Sequence, residues 1–325
     1  MHVLIIGAGA LGTIYAAYLS RAGHDVTLFA RGERANIIRE YGIAVSGIDE
    51  FVTRCAIATA DDPPASCDVL INAVKTYDNE AALHALQNVQ VSSAFSVQNG
   101  VQKNIALSDT FGSRATLGAV GMLGGEVTHV ASGEPLGVRF NMPGATTVGE
   151  LDGSSSARVD DIVTALNKSG LRAGSSTDIQ SVEWSKFVGW SGVSALAVLT
   201  RLPTSAFMSR PDTALLAGRV MRETAAVARA HGISLQPSGN SAPAIIDANE
   251  DDALASLLEG GRRSLTTSRD FRQSILQDAD RGKPLEVDET LGYTLALARQ
   301  YDIDVPTLDL CFSILRVISE TQSAD

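Results

Sequence analysis

Cysteine is scarce: Cys55, Cys67 and Cys311 are the only three in 325 residues. Odd in number and scattered without ligand spacing, they fit neither a disulfide framework nor a metal site, and read as buried free thiols of a reducing cytoplasm. No uninterrupted apolar run reaches the roughly 18 residues of a membrane-spanning helix. No basic n-region or apolar h-region precedes the first apolar run, so secretion is not expected. Positive charge is also short, with 26 Lys and Arg against 37 Asp and Glu for a net charge of −11. Nucleic acid and anionic membranes both need a basic face, so neither is an expected partner. An anionic small molecule stays open, because local cations in a cleft decide that. With 45% of residues apolar and no segment of low complexity, a chain of this length has room for two globular domains, each with its own core.

What is present concentrates at the N-terminus. The apolar run 3–6 has the length and β-branching of a strand. Gly7, Gly9 and Gly12 follow in GxGxxG spacing, and an apolar-periodic helix runs over 10–21 with Leu11, Ile14, Tyr15, Tyr18 and Leu19 on its buried side. Gly7 permits the tight turn, Gly9 lets a pyrophosphate approach the backbone, and Gly12 allows close packing of helix on strand. Free amides at the helix start, where Ala10 and Leu11 lie, would face the phosphates. This context predicts a dinucleotide site. The second strand, 25–29, ends at Ala30 and Arg31, about where an NAD-preferring chain carries an acid for the ribose 2′-hydroxyl. A guanidinium there suits a 2′-phosphate, so NADPH is expected over NADH. Arg34 could add to it and Glu33 could oppose it; the alternative is a pair of solvated surface arginines.

Further strands are expected at 68–74, 95–97, 116–120, 127–130, 136–138 and 146–148, with helices at 79–86 and 156–169. Ligands of open α/β sheets bind beyond the carboxyl ends of strands, which points Lys75 and Asn99 toward a cofactor or substrate. Lys75 could equally be a solvated lysine at a strand exit, and Asn99 a turn residue of an Asn-Gly pair. His129 reads as structural. After a link near 174–178 the pattern turns helical, with helices at 182–202, 212–230, 252–259, 264–281 and 286–301 and breaks at Pro203, Gly232, Pro284 and Pro306. The expected architecture is an α/β Rossmann-type domain with a parallel sheet over 1–176, followed by an all-α domain over 177–325, with the cleft between them as the default active site. The apolar helices could also pair two copies as a homodimer, although the same stripes are needed for the domain's own core.

If a nicotinamide carries the hydride, the protein must supply orientation, a proton and charge partners. Lys186 is the candidate proton donor. It lies in the apolar stretch WSKFVGWSGVSALAVL, where partial desolvation would lower its pKa toward a general acid's range; the alternative is a lysine snorkelling from a core helix. Glu286, expected in the first turn of a helix whose positive end favours a carboxylate, could accept a hydrogen bond from a substrate hydroxyl, or simply follow the preference of first turns for acids. Ser274 could donate to a substrate carboxylate, although an ordinary helical serine is the simpler reading.

Taken together, GAGALG at 7–12, Arg31, VKTYD at 74–78, VQNG at 97–100, EWSK at 183–186, SILQD at 274–278 and PLEVD at 284–288 resemble the ketopantoate reductase family over essentially the whole chain. The resemblance implies an NADPH-dependent 2-oxoacid reductase, converting 2-dehydropantoate (ketopantoate) to pantoate, with a C-terminal domain like that of 6-phosphogluconate dehydrogenase. It implies Lys186 as general acid, Glu286 on the hydroxyl formed, Arg31 on the 2′-phosphate, Lys75 and Asn99 along the cofactor and substrate, and Ser274 at the carboxylate. One departure stands out. Where the family pattern carries asparagines one and two turns beyond the lysine, this chain has Trp190 and Ser194, on the face of Lys186, and Thr204 replaces another. An indole offers one donor and more volume than an amide, so selectivity could move to another 2-oxoacid. Two rivals are an opine-type or related dehydrogenase acting on another carbonyl or an imine, and a non-catalytic NADPH-sensing protein.

Overall fold

A computed structural model describes residues 1–128, 133–237, 239 and 242–322. His129, and with it the end of the strand expected over 127–130, lies outside them. The chain forms two compact units, Met1–Asn99 with Lys103–Ile179, and Gly100–Gln102 with Gln180–Asp325.

The first unit opens with β1 (His2–Ile6), α1 (Ala10–Arg21), β2 (Asp25–Phe29) and α2 (Gly32–Tyr41). Then come β3 (Ile43–Gly47), β4 (Phe51–Thr53), β5 (Ala56–Ala58), β6 (Ser66–Asn72), α3 (Asn79–Ala85), β7 (Gln90–Ser96) and α4 (Lys103–Phe111). It ends with β8 (Leu117–Gly121), β9 (Gly124–Val127), β10 (Leu136–Met142), β11 (Thr146–Glu150), α5 (Ala157–Ser169) and β12 (Ala173–Ser175). A parallel five-stranded sheet in the order β5-β2-β1-β6-β7 organises the unit, beside smaller sheets β4-β3-β10-β9 and β12-β11-β8. Its order reverses between β1 and β6, the switch point where such sheets bind ligands.

α1 is buried continuously from Gly12 to Leu19, more than the one-sided burial its sequence suggests, because it packs on β2 on one side and on β9, β10 and α5 on others. Its two buried tyrosines keep their hydroxyls satisfied: Tyr15 shares a 2.5 Å hydrogen bond with Thr146, and Tyr18 donates to Asp49 at 2.9 Å. β6 stops at Asn72, two residues before the expected end, and β7 begins five residues before the expected start at 95, because the polar Gln90, Ser92 and Ser93 hide the strand's first half.

The second unit is helical throughout its described residues: α6 (Ile179–Thr200), α7 (Thr204–Met208), α8 (Pro211–Ala230), α9 (Pro243–Ile246), α10 (Glu250–Thr267), α11 (Ser274–Asp280), α12 (Tyr293–Gln300) and α13 (Pro306–Gln322). α6, α8, α12 and α13 share one buried core that includes Trp184, Val188, Val220, Met221, Leu295 and Leu315.

Three helix expectations need correction. The helices expected at 252–259 and 264–281 divide differently: α10 runs unbroken through Gly260 and Gly261, and the break falls between α10 and α11. Gly261 is a site of close approach, since a Cβ there would lie 2.3 Å from the Met208 carbonyl oxygen. The helix expected over 286–301 begins instead as a π-helical turn, Asp288–Gly292, in which Gly292 N–H reaches back to the Val287 carbonyl at 2.9 Å. Glu286 therefore precedes that turn and does not sit in the first turn of an α-helix. The last long helix is α13, where the expected break at Pro306 is instead a helix start, because proline is well suited to a first helical position. Among the described residues no helix is long and apolar enough to cross a membrane.

Candidate functional site

In the first unit, four neighbouring strands end at one rim. Phe29, Ile6, Asn72 and Ser96 stand level across β2, β1, β6 and β7, and the ladder continues one step beyond, with Gly7 N–H on Phe29 O, Ala73 N–H on Ile6 O and Val97 N–H on Asn72 O. The expected cofactor residues all leave the sheet here: Gly7, Gly9, Ala10, Leu11 and Gly12 after β1, Arg31 after β2, Lys75 after β6 and Asn99 after β7.

The three glycines divide their work as the spacing implies. Gly7 has φ +101°, and a Cβ on it would lie 2.8 Å from Val74 Cγ1. On Gly12 a Cβ would lie 1.9 Å from the Gly7 carbonyl oxygen, so helix and loop touch backbone to backbone. At Gly9 a Cβ would meet nothing within 4 Å, which leaves open space above the loop. Gly9 is also the N-cap of α1, provides no side-chain cap, and no acid stands in the first helical turn. The helix start, with its unclaimed donors and positive dipole end, thus fits a pyrophosphate.

Arg31 is the N-cap of α2, its side chain 80% exposed, with Nη2 2.7 Å from Asp78 Oδ1. Arg34 turns one arm inward, Nη1 donating to the Ala8 carbonyl at 3.0 Å, and so braces the glycine loop. Glu33 is exposed in the first turn of α2. Lys75 is half-buried ahead of the helical turn Thr76–Asp78, and Asn99 is half-buried before Gly100, whose φ of +87° is the turn that the Asn-Gly pair predicts.

Beneath the rim lies a network that the sequence reading missed. Gln98 donates to the Val74 carbonyl at 2.9 Å and to Asn79 Oδ1 at 3.2 Å; Asn72 donates to the same Asn79 oxygen at 2.7 Å, and Ser96 to Gln98 Oε1 at 2.9 Å. Lys103, 7% exposed, places its ammonium 3.2 Å from the Gln98 carbonyl and 2.5 Å from that of Ala119. These side chains fix the turns that carry Lys75 and Asn99, and a buried polar network is worth keeping only when satisfied in this way. The available signal was polar residues, Asn72 and Gln98, closing otherwise apolar strands.

In the second unit, α6 carries Lys186, Trp190 and Ser194 at successive turns. Lys186 is half-buried in a stretch whose neighbours Ser185, Phe187 and Val188 are buried. Trp190 is buried and stacked on Phe187, ring centres 5.8 Å apart and planes 22° apart. Ser194 is 1% exposed, and its hydroxyl has no hydrogen-bond partner among the described residues. Glu286 is 3% exposed; its carbonyl accepts the Thr290 hydroxyl, and the preceding Leu285 N–H is held by Ser319 Oγ at 2.9 Å. Ser274 is exposed at the start of α11. Thr204 lies near it, for its hydroxyl accepts from Gln273 Nε2 at 3.1 Å. The thiols stand apart from all this: burial raises Cys55 and Cys311 to about 11 and Cys67 to about 12, so none is a ready nucleophile.

Comparison with known proteins agrees with this division. The family model described as ketopantoate reductase PanE/ApbA matches residues 3–153, and its C-terminal counterpart matches 178–319. A 2-dehydropantoate 2-reductase of Archaeoglobus fulgidus is 28% identical over 93% of this chain and 92% of its own, and one of Halobacterium salinarum 27% identical over 98% of each. Among solved structures, a PanE/ApbA family ketopantoate reductase from Ralstonia eutropha superposes with a TM-score of 0.82 at 23% identity, covering 99% of this chain and 100% of its own. A D-mandelate dehydrogenase with NADH and anilino(oxo)acetate does so at 0.84 and 17%, covering 99% of each. With both models matched in order over most of its length, the chain belongs to the ketopantoate reductase family of NADP-dependent oxidoreductases.

Proposed function

We propose that the protein reduces 2-dehydropantoate (ketopantoate) to pantoate with NADPH, the nucleotide domain spanning 1–176 and the substrate domain 177–325. The observation that carries the reading is the rim of the parallel sheet, where an open Gly9, an uncapped α1 and an exposed Arg31 stand in the order a phosphorylated dinucleotide needs, in a chain that matches the family on both sides of residue 176. Bound there, NADPH supplies the hydride.

The chain's own residues do the rest. Amides at the start of α1 neutralise the pyrophosphate, Arg31 holds the 2′-phosphate, Lys75 lies along the cofactor, and Asn99 serves both cofactor and substrate. Lys186 gives its proton to the carbonyl oxygen as the alcohol forms. Glu286 accepts a hydrogen bond from that hydroxyl, and Ser274 donates to the substrate carboxylate. Trp190 and Ser194 shape the space for the substituent at C3.

Purified protein assayed for NADPH oxidation against ketopantoate and a panel of 2-oxoacids tests the substrate. Turnover of ketopantoate well above the others is expected, and none beside fast turnover of another acid overturns the assignment. Lys186→Ala is expected to lower kcat by about 10²–10⁴, the range of a lost general acid, with NADPH affinity unchanged; an unchanged kcat removes Lys186 from the chemistry. A second reading, a 2-oxoacid with a flat or bulky apolar substituent, is favoured by the stacked Trp190 and Phe187, and phenyl-bearing 2-oxoacids in the panel decide it.

A further inference from the structure

Arg31 and Asp78 form an ion pair between two loops, not within one. Arg31 leaves β2, whereas Asp78 closes the turn Thr76–Asp78 after β6, and Arg31 Nη2 lies 2.7 Å from Asp78 Oδ1. The side chains are 80% and 34% exposed. A pair so wet adds little to stability, so folding gives small reason for the contact. Its place is the telling point: it sets a carboxylate against the guanidinium assigned above to the 2′-phosphate.

The two coenzymes respond to that carboxylate in opposite ways. A 2′-phosphate brings about −1.5 to −2 charges to Arg31 and meets a like charge already touching the same side chain. A ribose 2′-hydroxyl brings no charge and can donate to the carboxylate, the contact made in NAD-preferring sheets by an acid at the end of the second strand. That acid is missing from the end of β2, where Arg31 stands, and Asp78 supplies one from the turn that follows β6.

We infer that Asp78 sets coenzyme selectivity in opposition to Arg31: Arg31 draws in the 2′-phosphate, Asp78 weakens its hold and gives the 2′-hydroxyl a partner, and the protein uses NADH as well as NADPH with a narrower preference than Arg31 alone would impose. The inference rests on the proposed role of Arg31 at the ribose. Five donors in the guanidinium fork allow Arg31 to meet a phosphate while still touching Asp78, so the two side chains act together on one ligand.

The test uses the full chain with Asp78→Asn, which preserves size and a hydrogen bond to Arg31 while removing the charge, and Arg31→Ala beside it. Values of kcat/KM are measured for NADPH and for NADH at one low ionic strength. Asp78→Asn is expected to raise the NADPH-to-NADH ratio of kcat/KM about five- to tenfold, the scale of one like-charge contact near a surface, through a lower KM for NADPH and a higher KM for NADH. If Arg31→Ala collapses the ratio but Asp78→Asn leaves it unchanged or lowers it, Asp78 merely orients Arg31 and the inference falls alone. If Arg31→Ala leaves the ratio unchanged, the role of Arg31 falls and takes the inference with it.

Discussion

Replacing one hydrogen by a methyl group should have opposite consequences at Gly9 and Gly12, three residues apart. At Gly12 the added Cβ lands 1.9 Å from the Gly7 carbonyl oxygen, so the loop or the helix must shift. Overpacking of this kind costs about 1–3 kcal/mol, which outweighs the 0.5–1 kcal/mol or so that alanine gains over glycine inside a helix. Gly12→Ala should therefore lower Tm, read by circular dichroism. At Gly9 the Cβ meets nothing, so Gly9→Ala should fold with unchanged Tm and instead raise KM and Kd for NADPH, because the methyl group occupies the space a pyrophosphate needs. An unchanged Kd for Gly9→Ala would separate the open loop from cofactor binding. At this scale the sequence was readable because spacing and residue type carry the constraint themselves. Asp78 and Lys103 were not, since an aspartate after a strand and a lysine opening a helix look like solvated residues until the fold sets them against Arg31 and against the carbonyls of Gln98 and Ala119.

The helices show where that legibility stops. β1, α1, β2 and α8 lie within a residue of their expected bounds, because apolar period and turn glycines there agree with the tertiary packing. α13 adds a tertiary feature to the misplaced break at Pro306: its N-terminus is capped from another helix. Glu223, on α8, accepts the Thr307 and Leu308 N–H groups at 3.1 and 2.7 Å, so Pro306 opens a helix whose cap is remote in sequence. The π-helical turn at Asp288–Gly292 is equally silent, since one additional residue per turn leaves no mark in a hydrophobic pattern. Glu223→Ala removes both acceptors and should destabilise the second unit by about 1–2 kcal/mol, the upper range for a lost cap. With about 2–4 °C per kcal/mol for a unit of this size, the transition should fall by several degrees. Glu223→Gln, which keeps one acceptor oxygen, should recover part of it. Equal losses in the two variants would show that one neutral acceptor does not cap the helix.

Across the whole molecule, sensitivity to acid should be unequal between the two units. In the first, the Arg158 guanidinium beside Glu150 holds its carboxyl below the usual glutamate range, through bonds of 2.7 and 2.5 Å, and the Glu150 side chain is only 10% exposed. In the same unit, the Tyr18 hydroxyl and then Arg21 lower Asp49. In the second, Arg219 lowers Glu250, but that pair is 44% and 47% exposed and screened by solvent. A carboxylate whose pKa is lowered on folding stabilises the native state fully above its unfolded value, about 4.3 for glutamate, and loses that contribution as pH falls through the lower folded value. The first unit should therefore weaken faster as pH drops from about 5 to 3. Both tryptophans, Trp184 and Trp190, lie in the second unit, so their fluorescence follows that unit alone while circular dichroism follows both. Thermal melts by the two probes should coincide more closely at neutral pH and separate on acidification, the circular dichroism transition falling first. Glu150→Gln should lower the first unit's transition at neutral pH and flatten its dependence below about pH 5, because the group that exchanges a proton is gone. Probes that stay together at every pH, in both proteins, would mean that the units melt as one body and that Glu150 does not set the acid limit.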